Sequence, residues 1–260
     1  MMLLRSALFN VVFFSVTFLL SLYGVLIRLF APERVLRLAM LWARVVVALA
    51  RLICGIRVEV TGELPNGVAL IASRHESALD TVVWLTLVPS ACYVLKRELL
   101  RVPLFGPLIR KAGMIAIDRN AGAAALRSLL REGQRAAQEG RQIIIFPEGT
   151  RAEPGIVLPL QPGVAALAAH TGLPVIPVVT NSGRHWSRRA FRKQPGVVHI
   201  TLLAPIAPHT PRGKLLSALE TAFHTDPETA ASLVDNSVGR LAPALPADRS
   251  VGLHDIDNDG

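Results

Sequence analysis

The chain is poor in cysteine, in aromatic residues and in acids. Two cysteines, Cys54 and Cys92, occur in 260 residues. They match no metal-ligand spacing and argue against a disulfide framework, which is compatible with a reducing compartment. Acids number 19 against 28 lysines and arginines, for a net charge of +9, and a basic balance of that size raises nucleic acid as a partner. Aromatics make up only 5% of the chain and no nucleic-acid-binding motif is present, so that partner is excluded from the leading reading. A P-loop, a G-x-G-x-x-G fingerprint and an H-E-x-x-H pair are all missing, so nothing points to a nucleotide, a cofactor or a metal. Without a G-x-S-x-G elbow, an α/β serine hydrolase is also disfavoured.

Apolar residues are abundant, at 51% with a mean hydropathy of +0.43. Residues 6–27 carry no charge and are bounded by Arg5 and Arg28. This run is longer than the apolar core of a secretory signal, and no small-residue cleavage site follows. About 20 apolar residues cross the hydrocarbon, so a membrane-embedded helix is expected; the plainer alternative is a buried soluble helix. After Pro32, the spacing of Arg34, Arg37, Arg44 and Arg51 puts four arginines on one stripe of an otherwise apolar helix. Such a helix suits the headgroup level of a membrane, or else a core position with one solvated stripe. Gly55 is a plausible stop for it. If the first helix spans, these arginines predict that the rest of the chain lies on the cytoplasmic side of the inner membrane. Residues 226–260 hold seven acids against two arginines, so residues 1–225 carry about +14, and anionic lipid is an expected partner.

From residue 56 the pattern alternates between strand and helix. Strands are expected at 57–61, 68–72, 91–95, 114–117, 142–146, 175–179 and 197–203, and helices at 78–88, 123–138, 164–170 and 213–224. Alternation of this kind predicts a single α/β domain with a largely parallel central sheet flanked by helices, preceded by a two-helix membrane element. The expected division is 1–55 for the membrane-embedded helices, 56–240 for the α/β domain and 241–260 for a disordered acidic tail.

Polar side chains gather where those strands end. In Phe146-Pro147-Glu148-Gly149-Thr150-Arg151 a proline ends a buried strand, and a glycine turns the backbone so that a carboxylate, a hydroxyl and a guanidinium are presented. Ligands bind beyond the carboxyl ends of strands in open α/β sheets. After the second strand come His75 and Asp80. They lie about 140° apart on a continuous helix, and meet only if His75 precedes the helix and Asp80 sits in its first turn. Ser77 to Asp80 has the form of a capping box, so Asp80 could serve only as a cap and His75 only as a loop residue. Otherwise they form a base with a carboxylate orienting its far ring nitrogen. Lys96 follows the third strand, Arg119 the fourth, and the sixth contains Pro177 before a Thr180-Asn181-Ser182 exit. Taken singly, each has an ordinary explanation as a solvated charge or a turn. Together, in order at successive strand ends, they suggest a phosphate-bearing substrate with a hydroxyl to be deprotonated.

These blocks resemble the glycerophospholipid acyltransferases, specifically those acting on 1-acylglycerol-3-phosphate (lysophosphatidic acid). The family's histidine and aspartate separated by four residues look like His75 and Asp80. Its glycine-then-arginine block resembles Gly113 to Arg119, its third block is similar to residues 146–151, and its fourth-block proline looks like Pro177. The amino-terminal two-helix element also resembles residues 6–53. The resemblance implies His75 as general base oriented by Asp80; Lys96, Arg119 and Arg151 as phosphate ligands; Glu148, Gly149 and Thr150 as shapers of the glycerol pocket; and no cofactor or metal. It further implies that an acyl group passes from acyl-CoA or acyl-carrier protein to the sn-2 hydroxyl, giving phosphatidic acid. Arg74 departs from the Asn that many members carry, a departure that bears on substrate preference more than on catalysis.

Rival readings are an acyltransferase of the same mechanism acting on another lysolipid, an inactive lipid-binding protein with the same domain, and a membrane-attached nucleic-acid-binding protein. Intact His–Asp and Glu–Gly pairs argue against the inactive protein. No catalytic role is expected of the acidic tail, so a chain ending at Arg240 should keep its acyl-transfer turnover; loss of turnover would show that the tail takes part.

Overall fold

The structure, a computed structural model, describes residues 1–232 and 234; the expected tail at 241–260 lies outside the described residues. Helix α1 (Met2–Phe30) leads, and α2 (Val35–Leu49) continues through a π-helical turn that stops at Cys54. Gly55 closes it in the left-handed region, at φ 71°. Among the described residues seven strands follow: β1 (Ile56–Thr61), β2 (Ala69–Ser73), β3 (Ala91–Lys96), β4 (Ile115–Ile117), β5 (Gln142–Ile145), β6 (Val175–Thr180) and β7 (Gly196–Leu202). Between and after them come α3 (Ala78–Leu87), α4 (Phe105–Lys111), α5 (Ala123–Gln138), α6 (Gly163–Thr171), α7 (Ser182–His185) and α8 (Arg212–His224).

All the strands join one sheet, ordered β1-β7-β6-β2-β5-β3-β4. Every neighbouring pair is parallel except β6 with β7. The alternation of side chains along each strand divides the core in two. Ile71, Ile144, Val178 and Ile200 face a layer completed by Phe9, Ala43, Val46 and Trp84 from α1, α2 and α3. Leu70, Ala72, Ile143, Ile145 and Val179 face α5, α6 and α8 through Leu129, Leu167, Leu215 and Phe223. The single α/β domain with a largely parallel sheet is therefore as the sequence predicts. Helices α4 and α7 were not anticipated: α4 spans only seven residues and α7 only four, too few to show a period.

The two-helix membrane element needs correction. Among the described residues only α1 is long and apolar enough to cross a membrane. Helix α2 has 15 residues and buries Val35, Ala43 and Val46 in the domain core, while Arg34, Arg37, Arg44 and Arg51 stay exposed. Helix α1 is nonetheless docked. Phe9 meets Trp186 edge-to-face at 5.1 Å. The Lys193 backbone N–H donates to Ser6 Oγ, and its Nζ donates to Asn10 Oδ1, each at 3.0 Å. Leu4, Leu8, Val11, Phe14, Phe18, Leu22 and Leu26 remain exposed on the same helix. An apolar face of this extent marks contact with lipid or another apolar partner.

Replacing Phe9 with Ala removes a fully buried ring and should cost about 3–5 kcal/mol of stability. A lowered thermal midpoint in detergent micelles would report it. The same change at Phe18, which is 58% exposed, should leave the midpoint unchanged.

Candidate active site

Strands β2, β3, β4, β5 and β6 run in one direction, so their carboxyl ends share one rim of the sheet. His75 lies two residues beyond β2, Lys96 is the last residue of β3, Arg119 lies two beyond β4, and residues 146–151 leave β5. Parallel pairing thus brings together four segments that lie far apart in sequence.

At the end of β2 the chain turns into α3 through a full capping box. Ser77 Oγ accepts the Leu79 N–H at 3.0 Å, and Asp80 Oδ2 accepts the N–H groups of Glu76 and Ser77, each at 2.8 Å. The same oxygen lies 3.1 Å from His75 Nδ1. Asp80 is thus both cap and histidine partner, and the two readings of the sequence are not exclusive. With Nδ1 donating to Asp80, the neutral ring carries its lone pair on Nε2, which has no hydrogen-bond partner among the described residues. The ring stacks on Phe146 at 4.1 Å, and Phe146 stacks in turn with Tyr93. Rotation of the imidazole is therefore restricted on one face and at one nitrogen.

Glu148 sits behind this arrangement. Its side chain is buried; Oε2 accepts the His75 N–H at 2.8 Å and Oε1 the Leu158 N–H at 3.4 Å. Burial pushes its carboxyl above the usual range, and the two N–H donors pull it back. Next to it, Gly149 takes a left-handed φ of 71°, and a Cβ there would come within 3.1 Å of Arg119 Nη1. The Arg119 guanidinium donates to the Gly149 carbonyl, joining the β4 and β5 ends.

Six of the nine residues singled out in the sequence line one cavity of about 560 Å³: His75, Lys96, Arg119, Gly149, Thr150 and Arg151. Asp80 and Glu148 lie behind the wall, holding His75 at its side chain and its backbone. Pro177 is not part of the cavity. It is buried inside β6 opposite Ala72, its carbonyl accepting the Leu203 N–H at 2.9 Å. Away from the rim the cavity becomes apolar, walled by Leu20 of α1, Leu38 and Trp42 of α2, and Phe105 and Leu108 of α4. Trp42 Nε1 donates to Thr17 Oγ1 at 3.0 Å, closing the α1–α2 wall. The cavity therefore pairs a cationic mouth at the histidine with an apolar interior made by the amino-terminal helices.

Sequence reading missed three features. Arg188 lines the cavity mouth from the segment after α7, where five lysines and arginines within 184–193 were the available signal. Phe146 is a ring partner for His75 rather than a strand end. Arg74 does not touch the cavity at all. It is buried against Glu76 at 3.0 Å, and its guanidinium donates to the carbonyls of Phe223, at the end of α8, and Ile156. Its departure from the family pattern is therefore explained by packing, not by substrate contact. Glu76 also accepts the Gly183 N–H at 3.1 Å; burial pushes its carboxyl up, and the Arg74 charge pulls it down.

Removing Arg74 strands a buried carboxylate. Arg74→Met should destabilise the fold by about 3–5 kcal/mol in chemical denaturation, and adding Glu76→Leu should recover part of that loss.

Comparison with known proteins bears on the fold and on the segment that holds these residues. Residues 56–181 match the family described as Acyltransferase. The 1-acyl-sn-glycerol-3-phosphate acyltransferase of Pseudomonas aeruginosa is 37% identical over 163 residues, 62% of this chain and 63% of that protein. The enzyme of that name from Limnanthes alba is 33% identical over 180 residues, 67% of this chain and 63% of that protein. The alpha form from Homo sapiens is 31% identical over 157 residues, 58% of this chain and 56% of that protein. The chain thus spans somewhat under two thirds of the length of these relatives. The crystal structure of the 1-acyl-sn-glycerophosphate (LPA) acyltransferase PlsC from Thermotoga maritima superposes with a TM-score of 0.68 at 23% identity, covering 94% of this chain and all of that one. That likeness bears on the fold. The matched residues hold all four strand-end blocks, so the α/β domain of this chain resembles the acyltransferase family through the segment that carries its candidate site.

Proposed function

We propose that the protein transfers a fatty acyl group from a thioester, acyl-CoA or acyl-carrier protein, to the sn-2 hydroxyl of 1-acylglycerol-3-phosphate, giving phosphatidic acid. One observation carries the reading: the oriented imidazole of His75 opens on a cavity that is cationic at its mouth and apolar within. His75 Nε2 takes the proton of the acceptor hydroxyl, and Asp80 stabilises the imidazolium that forms. The acceptor oxygen attacks the thioester carbonyl. The tetrahedral intermediate then collapses with cleavage of the C–S bond, and the imidazolium proton goes to the departing thiolate. Lys96, Arg119 and Arg151 hold the acceptor phosphate. Among the described residues none of the three is ion-paired, whereas nearby Arg97 pairs with Asp118 and Arg184 with Asp226. Thr150 and Gly149 border the glycerol, while Glu148 acts on the pocket by fixing the His75 backbone. Acyl chain in the apolar interior contributes about 0.8 kcal/mol per buried methylene.

An apolar substrate and product suit the exposed face of α1, which supports membrane association. The arginines that follow α1 favour the cytoplasmic side of the inner membrane and anionic lipid headgroups. Residue 55 then marks where the amino-terminal helices, which also pack on the core, give way to the catalytic α/β domain.

The experiment follows free thiol release and phosphatidic acid in detergent with 1-acylglycerol-3-phosphate and an acyl-CoA, then with an acyl-carrier-protein thioester. His75→Ala should lower turnover about 10²–10⁴-fold. Equal turnover by wild type and variant would remove His75 as the base, and no product with either donor would overturn the reaction.

A further inference from the structure

Segment 186–193 is held at both ends and carries an arginine to the cavity mouth. At its start, Trp186 is buried and packs edge-to-face on Phe9 and Phe13 of α1. At its end Lys193 is buried, with Nζ 5.8 Å from the Phe9 ring centroid, 5.2 Å from that of Trp186 and 3.0 Å from Asn10 Oδ1. Between these anchors Ser187 forms an antiparallel bridge with Ser77, the N-cap of α3 and two residues from His75. The backbone next to Arg188 is thereby fixed against the turn that carries the histidine.

The Arg188 side chain reaches the third strand-end block, its Nη1 donating to the Arg151 carbonyl at 3.3 Å. It lines the cavity beside Thr150 and Arg151, and no carboxylate among the described residues lies within ion-pair distance of it. Four cations, Lys96, Arg119, Arg151 and Arg188, thus surround the mouth against one acid, Glu98. A surface arginine in search of solvent has no need of a segment pinned by a buried tryptophan and a buried lysine.

We propose that Arg188 is a further acceptor-binding residue, which pairs with the phosphate monoester of 1-acylglycerol-3-phosphate alongside Arg151. A dianionic monoester offers more oxygens and charge than one guanidinium satisfies, and the contact of Arg188 with the Arg151 carbonyl places the second fork beside the loop that carries the first. The donor phosphates are the other source of the same chemistry. The contact with the Arg151 loop favours the acceptor.

The inference rests on the proposed reaction, and the test separates the two. Wild type, Arg188→Ala, Arg188→Lys and Arg192→Ala are assayed with 1-acylglycerol-3-phosphate and acyl-CoA, each varied in turn. Arg192 is exposed and does not line the cavity, so it controls for the loss of one positive charge. Arg188→Ala should raise the acceptor KM about tenfold with kcat and the donor KM little changed, the loss expected for one charge-assisted pair. Arg188→Lys should restore part of it, and Arg192→Ala should show no rise. Unchanged acceptor KM in Arg188→Ala, an equal rise in Arg192→Ala, or a rise confined to the donor KM would each overturn the assignment while leaving the reaction standing. A wild type that acylates no 1-acylglycerol-3-phosphate with either donor would remove the reaction, and this assignment with it.

Discussion

Everything at the site depends on one oxygen atom. Asp80 Oδ2 accepts two backbone N–H groups from the turn before α3 and lies 3.1 Å from His75 Nδ1. The first two bonds fix where the helix starts, and the third uses that start to aim an imidazole. A capping carboxylate is already held in place at a helix amino end, where the backbone dipoles favour negative charge. Orienting a histidine with it therefore requires no additional buried acid. Local folding of α3 and the orientation of the imidazole are in this way one event.

Around that atom, the sheet supplies the convergence. With β2 between β5 and β6, and β3 next to β5, the ends of the parallel strands lie side by side. The loops leaving them are then tied to one another. Glu148 reaches back to the His75 N–H, the Ala152 N–H donates to the His75 carbonyl at 2.7 Å, and Arg119 donates to the Gly149 carbonyl. Behind the rim, the buried Arg74–Glu76 pair joins the same turn to the end of α8 and to α7. Buried charges in such a network are costly to break singly, which favours one arrangement of the loops.

The cavity belongs to two parts of the chain. Its polar mouth is made by strand ends, and much of its apolar interior by α1, α2 and α4. Helix α1 can form that wall only while docked, and the docking runs through Phe9, Ser6 and Asn10 to segment 186–193. The same apolar helix thus presents one face to the domain and leaves the other exposed.

The amino-acid sequence by itself determined what local pattern determines. Apolar β-branched runs with turn residues between them set the seven strands, because side-chain period and chain stiffness are local properties. The uncharged run in α1 set a helix long and apolar enough to cross a membrane, and the Ser77–Asp80 spacing set the cap. Nine candidate residues were also readable, because strand ends are where polar side chains interrupt apolar runs. Tertiary structure decided which of them share a space. Pro177 fell inside β6 and Arg74 turned away into a buried pair, whereas Arg188, 37 residues beyond Arg151, came to the mouth. Spacing along the chain carries no information about contacts made across a sheet, and those contacts exist only once β2, β5 and β6 are paired.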